Sequence, residues 1–199
     1  MSDEYLTINK PSESLYKVKG SKFLGYGFPV NDEEEIKEIL ANIRKEHYKA
    51  THHCYAYKLG FTEDNYRAND DGEPSGTAGL PIYGQIRSYN LTNVLIVSVR
   101  YFGGIKLGVS GLIKAYKKSA KLTIEAAEII TKIITVGYIL EFEYIMMNDV
   151  MKIIKEFNIN INNNFSGTNC ALEIDFRKNM EDEIIQKFSN IRELIIRKL

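Results

Sequence analysis

The residues able to do chemistry cluster in three short runs and on one helix. The run from Asn69 to Thr77 (NDDGEPSGT) holds the carboxylates Asp70, Asp71 and Glu73, followed by the hydroxyls of Ser75 and Thr77. Such acids can bind a hard cation such as magnesium through oxygen. They can also accept hydrogen bonds from an amine or guanidinium. Ser75-Gly76-Thr77 at a helix start could donate backbone N–H groups to an anion. The bland alternative is a rigid turn, signalled by Asp70-Asp71-Gly72, whose acids cap a helix and face water.

The second run is Thr51-His52-His53-Cys54. On a strand, His52 and Cys54 share one face and His53 takes the other. Zinc needs a third and usually a fourth ligand, and no CxxC or HxxxH spacing supplies them, so no metal site is expected. His52 is either an acid/base or a histidine packed at a strand end. The catalytic candidates are therefore His52, Asp70, Asp71, Glu73 and Ser75.

The third run is Arg100-Tyr101-Phe102-Gly103-Gly104-Ile105-Lys106-Leu107-Gly108. An arginine ending a buried strand needs a partner or a ligand, and the acids of the first run are natural partners. The glycines let backbone approach a phosphate, but the GxxxxGK[ST] and GxGxxG patterns are absent. Tyr101 and Phe102 could stack on bases, with one of them packing in the core. Beyond this run lies a lysine stripe of Lys114, Lys117, Lys118 and Lys121. It is either a solvated helix face or an electrostatic footprint for phosphates. The nucleic-acid-binding candidates are Arg100, Tyr101, Lys106, Lys114, Lys117, Lys118 and Lys121.

The elements that must position these groups follow from periodicity. Residues 14–30 read as a strand pair broken by Gly20, Gly25 and Gly27. Asn31 or Asp32 caps a helix through Tyr48. Residues 53–61 read as a strand, 66–76 as a loop, and 77–88 as a short helix with Pro81 in or near its first turn. Val94 to Tyr101 is almost continuously apolar, as a central strand covered on both faces should be. Ser110 caps the next helix, with Val109, Leu112, Ile113, Tyr116, Ala120, Thr123, Ile124 and Ala127 as its apolar face. The remainder reads as a strand over 132–144, a helix from Asn148 to Phe157, a hairpin of 159–165 and 170–176 around Gly167, a helix over 180–188 and a last strand over 191–199. That βαββαβ order is the ferredoxin-like split motif. Twelve of the 14 glycines precede residue 112, which places a domain boundary near residue 130, giving domains 1–130 and 131–199.

Composition narrows the class. With 199 residues, 44% hydrophobic and 26% charged, the chain can bury two cores and needs no long disordered region. No apolar run approaches the roughly 20 residues of a membrane span, and residues 1–10 lack a secretory apolar segment. Cys54 and Cys170 lie far apart, which fits a reducing, cytoplasmic compartment. Net charge is zero, but from Pro74 to Ile124 there is no acid, while Arg87, Arg100, Lys106, Lys114, Lys117, Lys118 and Lys121 all carry positive charge.

Four segments in order resemble the IMPACT family, whose bacterial members are the YigZ-like proteins. They are Ser21-Lys22-Phe23, Ala50 to Tyr57, Asn69 to Ile82, and Arg100 to Gly108 with Gly111-Leu112. The resemblance spans roughly residues 14 to 127. It implies an α+β fold of two domains, the first ribosomal-protein-S5 domain-2-like and the second ferredoxin-like. It also implies likeness to the last two domains of the translocation elongation factor. Eukaryotic relatives are translational regulators that act through a protein partner using an RWD domain; that domain is expected to be absent here, and the protein partner stays open. The expectation is a cytoplasmic, non-enzymatic, translation-associated regulator that binds RNA or the ribosome, with no cofactor and no membrane. The alternative is a hydrolase or nucleotide-handling enzyme using His52, Asp70, Asp71, Glu73 and Arg100. A third reading makes the acidic loop and Arg100 a structural ion-pair network.

Overall fold

The computed structural model describes residues 3–62, 64–165 and 169–199. The chain divides into two compact units, Leu6–Thr131 and Lys132–Leu199, with residues 3–5 grouped with the second rather than the first. The N-terminal strand β1 (Glu4–Ile8), unread in the sequence, pairs with β7 (Ile129–Ile133) as a two-stranded ribbon.

The first unit is built on an antiparallel five-stranded sheet. Its strands are β2 (Ser12–Val18), β3 (Ser21–Pro29), β4 (His52–Lys58), β5 (Tyr66–Asn69) and β6 (Val94–Tyr101), in the order β2-β3-β6-β4-β5. Helix α1 (Glu33–Glu46) buries Ile36 and Ile43 on one face of the sheet, against Leu95, Val97 and Val99. Helices α2 (Gly79–Ser88) and α3 (Gly108–Glu125) cover the other face, against Phe23, Cys54, Val94 and Ile96. The apolar run of β6 is thus explained: alternate side chains feed two different cores.

Capping is where local rules and structure diverge. Asp32 caps α1 as its chemistry predicts, accepting from the N–H groups of Glu34 and Glu35. Ser110 does not cap α3: the helix starts earlier, with Leu107 at the N-cap position and no side-chain cap. Val109 and Ile113, assigned to its apolar face, are exposed, and the buried stripe instead includes Ala115 and Ser119. Small residues make this possible. The Ser12 hydroxyl donates to the Thr123 carbonyl, and a Cβ on Gly25 would overlap Thr123 Oγ1, so α3 rides close to β2 and β3. The segment read as a loop from Tyr66 opens with β5, an edge strand too short to show alternation.

In the second unit β8 (Thr135–Glu143), α4 (Met147–Glu156), β9 (Asn160–Phe165), β10 (Asn169–Arg177), α5 (Glu181–Ser189) and β11 (Ile195–Lys198) follow in βαββαβ order. The antiparallel sheet runs β11-β8-β10-β9. Its helices bury Val150, Ile153, Ile154, Ile184 and Phe188 against Leu140, Leu172 and Ile174. Asn148 does not cap α4, which begins one residue earlier behind Met146. Gly167, the expected hairpin turn, lies outside the described residues. Both cysteines are free and buried. Among the described residues no helix is long and apolar enough to cross a membrane.

Candidate functional site

Sheet register assembles the site. His52 of β4 and Phe23 of β3 both lie opposite Arg100 of β6, so the three stand in one row across the sheet. Arg100 is 5% exposed. Its Nη1 donates to Glu73 Oε1 at 2.6 Å, and Tyr116 of α3 donates its hydroxyl to the same oxygen at 2.7 Å. Nη2 reaches the Ser21 hydroxyl at 3.4 Å, and the guanidinium lies 5.5 Å from the ring centres of both Phe23 and Phe102. Among the described residues its Nε–H is buried without an acceptor. The acid expected to meet Arg100 is therefore Glu73, the last acid of the loop.

The other two acids of the loop go elsewhere. Asp70 accepts backbone N–H groups from Gly76, Ala78 and Gly79, each at 2.8 Å, and so caps α2 from within the turn. Asp71, held at a positive φ of 42°, pairs with Arg44 of α1 at 2.6 Å and accepts the His53 backbone N–H at 2.6 Å. Burial opposes ionisation of Asp71, but the hydrogen bonds from Arg44 and from the His53 N–H outweigh it and hold the carboxyl below its ordinary value. With each acid already occupied by a different partner, the loop presents no magnesium cage. Among the described residues no group of three or more His, Cys, Asp and Glu is arranged to hold a metal. Ser75 is exposed and does not line the cleft described below.

The histidines separate as strand alternation predicts. His52 faces the Glu73–Arg100 pair. Its Nδ1 lies 2.8 Å from the Asp71 carbonyl, which can only accept, so Nδ1 carries the proton. Its Nε2 lies 3.8 Å from Glu73 Oε1. His53 turns to the α1 side, where its Nε2 donates to the His47 carbonyl at 3.2 Å. Burial first, then the Arg44 charge, lower its pKa. Cys54 donates its thiol to the Asp70 carbonyl, and burial pushes that thiol up, so it stays protonated and inert. Burial likewise raises the Tyr116 hydroxyl, reinforced by Cys54 and Glu73.

A cleft of about 440 Å³ opens over this pair, lined by His52, Glu73, Arg100, Phe102, Lys106 and the start of α3. Of the catalytic candidates, only His52 and Glu73 line it; Asp70, Asp71 and Ser75 do not. Of the nucleic-acid candidates, Arg100 and Lys106 line it. Tyr101 packs toward α1, its hydroxyl 3.0 Å from His47 Nδ1, while His47 Nε2 meets the Tyr26 hydroxyl at 2.7 Å. Phe102 is the exposed member of the aromatic pair. Lys114, Lys117 and Lys118 are exposed along α3, and Lys121 pairs with Glu125 at 3.5 Å. The sequence reading missed Tyr116, Arg44, Ser21 and His47. Tyr116 had one visible signal, a polar tip on a largely apolar helix stripe.

Fold and site together define a mixed α and β protein of two units whose first unit carries a largely apolar cleft over a buried ion pair, between strand ends and a helix start. Residues 19–124 match the family described as the Impact N-terminal domain. The chain belongs to the IMPACT family. An IMPACT family member of Haemophilus influenzae is 31% identical over 160 residues, covering 79% of this chain and 78% of the relative. IMPACT family member YigZ of Escherichia coli is 33% identical over 144 residues, covering 71% of each. IMPACT family member YvyE of Bacillus subtilis is 43% identical over 119 residues, which span 60% of this chain and 55% of that relative. The chain thus matches about half of YvyE's length. A crystal structure described only as that of a hypothetical protein aligns over all of this chain and 98% of its own, with TM-score 0.75 and 26% identity.

Proposed function

We propose that this protein is a non-enzymatic, cytoplasmic, translation-associated factor that binds RNA or the ribosome through the lysine face of α3. One observation carries the reading. Lys114, Lys117 and Lys118 are exposed at i, i+3 and i+4 on a helix with no acid before Glu125, while the acids of the Asn69–Thr77 loop are each engaged by other partners in the chain. Unpaired cations on one helix face suit a phosphate backbone. In this reading the five-stranded unit is an S5 domain-2-like domain, supported by its sheet with two helices on one face. The second unit is ferredoxin-like, supported by the βαββαβ order and the β11-β8-β10-β9 sheet. Translation enters through the family resemblance alone.

The test is binding to purified RNA and to ribosomal subunits over a salt series, for wild type and a Lys114→Ala/Lys117→Ala/Lys118→Ala variant. Each lost phosphate contact on a single strand should lower the slope of log affinity against log salt by about 0.7, hence about 2 for the triple variant. Absence of binding at low salt, or an unchanged slope in the variant, sinks the proposal.

A further inference from the structure

We infer that the cleft beside α3 docks a short segment of a partner protein, one that carries a bulky apolar side chain flanked by acids. This goes beyond the RNA-binding reading and does not rest on it. The lining of the cleft decides the apolar part of that chemistry, and the rim decides the charge.

The walls are mostly carbon. Pro74, Phe102, Leu107, Val109 and Leu112 form them, and the ion pair at the floor is closed on itself, Glu73 meeting Arg100 at 2.6 Å. An anion entering the cleft would exchange water for an apolar wall and meet the Glu73 carboxylate. An apolar side chain gains by leaving water. At about 440 Å³ the cleft lies in the range that encloses ligands, with room for a bulky side chain.

The apolar surface does not stop at the cleft. Phe102, Ile105, Val109 and Ile113 are between 38% and 59% exposed. Val109 and Ile113 stand four residues apart on α3, so Ile113 extends the cleft wall along the helix. A lone exposed apolar residue is ordinary, but several gathered round a cleft mark a contact surface for another protein.

Charge complementarity names the rest of the occupant. Lys106 lines the cleft and is exposed. Lys117 is exposed four residues beyond Ile113 and continues the line of Val109 and Ile113, with exposed Lys114 beside it. From Pro74 to Ile124 the sequence holds no acid. An acidic segment is therefore drawn to this rim and a basic one repelled, while the apolar side chain enters the cleft.

Selection of a phage-displayed library of random peptides on the immobilised full chain tests the site. Recovered peptides should combine a leucine or an aromatic residue with flanking acids. Fluorescence polarisation then measures the affinity of a recovered peptide for wild type and variants. Val109→Gln should weaken binding about tenfold or more, as loss of an anchor contact does. It should leave the melting temperature unchanged, because Val109 is exposed and glutamine is the better helix former. Lys106→Glu should also weaken binding. Exchanging one acid of the peptide for lysine should recover part of that loss in Lys106→Glu while weakening binding to wild type.

No recovered peptide, recovery of peptides rich in lysine and arginine, or full affinity in Val109→Gln overturns the docking site. So does an RNA oligonucleotide that displaces the peptide and itself loses affinity in Val109→Gln, because the cleft is then an RNA site. If the peptides bind as described and RNA binds nowhere, the docking site stands and the RNA-binding reading fails.

Discussion

Replacing Glu73 by glutamine removes one charge from a buried pair with little change of shape. The pair is nearly sealed: the Arg100 and Glu73 side chains are 6% and 4% exposed and meet at 2.6 Å. At an effective dielectric of about 20, two unit charges at that distance attract by about 6 kcal/mol. Much of that offsets the cost of taking both ions out of water. In Glu73→Gln the amide oxygen still accepts from Tyr116, but the guanidinium is left buried without a counter-charge. The expected loss of unfolding free energy is about 3–5 kcal/mol. Glu73→Gln/Arg100→Met removes both charges and should recover all but about 1–2 kcal/mol, so the two changes should be strongly non-additive. Urea unfolding followed by circular dichroism gives the free energies. Amide exchange in β6 and α3 assigns the loss to the first of the two compact units. A single-variant loss below about 1 kcal/mol, or additive single and double effects, would refute the claim that these charges are paired inside the protein.

Two further outcomes follow from the geometry. Gly103→Ala should cost about 3 kcal/mol or more in urea unfolding, because its Cβ would sit inside the Gly20 carbonyl and the Ser21 nitrogen, both backbone. Gly104→Ala meets open space at φ +86° and should cost only about 1 kcal/mol; equal costs would contradict the close approach. Stability should also fall in two stages on acidification. His53 and Asp71 both have lowered pKa values, so the unfolded chain binds more protons than the folded one and stability rises with pH. The His53 contribution is full above its ordinary 6.5 and is lost as pH falls through that value toward the lowered folded pKa. The Asp71 contribution is full above 3.8 and is lost as pH falls toward its own lowered pKa. A urea midpoint that does not change between about pH 7.5 and 5.5 would remove His53 from the explanation.

Much of the fold was legible because burial leaves a period in the sequence. β6 was read from Val94 to Tyr101 as observed, since two cores claim its alternate residues. Likewise His52 and His53 were correctly sent to opposite faces. The caps of α3 and α4 were misread because Ser and Asn favour N-caps only where the chain turns, and tertiary packing set those turns earlier. The sequence showed Gly103 only as one of several glycines in a short run; the fold shows that it lets two backbones touch.

The sequence by itself determined most of the elements, the family and the set of charged groups from which a site could be made. Composition, periodicity and short motifs are local properties of the chain. Only the tertiary structure decided which groups meet. Three acids within four residues look equivalent in sequence. The fold sends Asp70 to the start of α2, Asp71 to α1, and Glu73 to Arg100 in the interior. The physical reason is that a turn aims successive side chains in different directions. Which of them meets a cation, a backbone N–H or an open cleft is then set by residues far away in the chain.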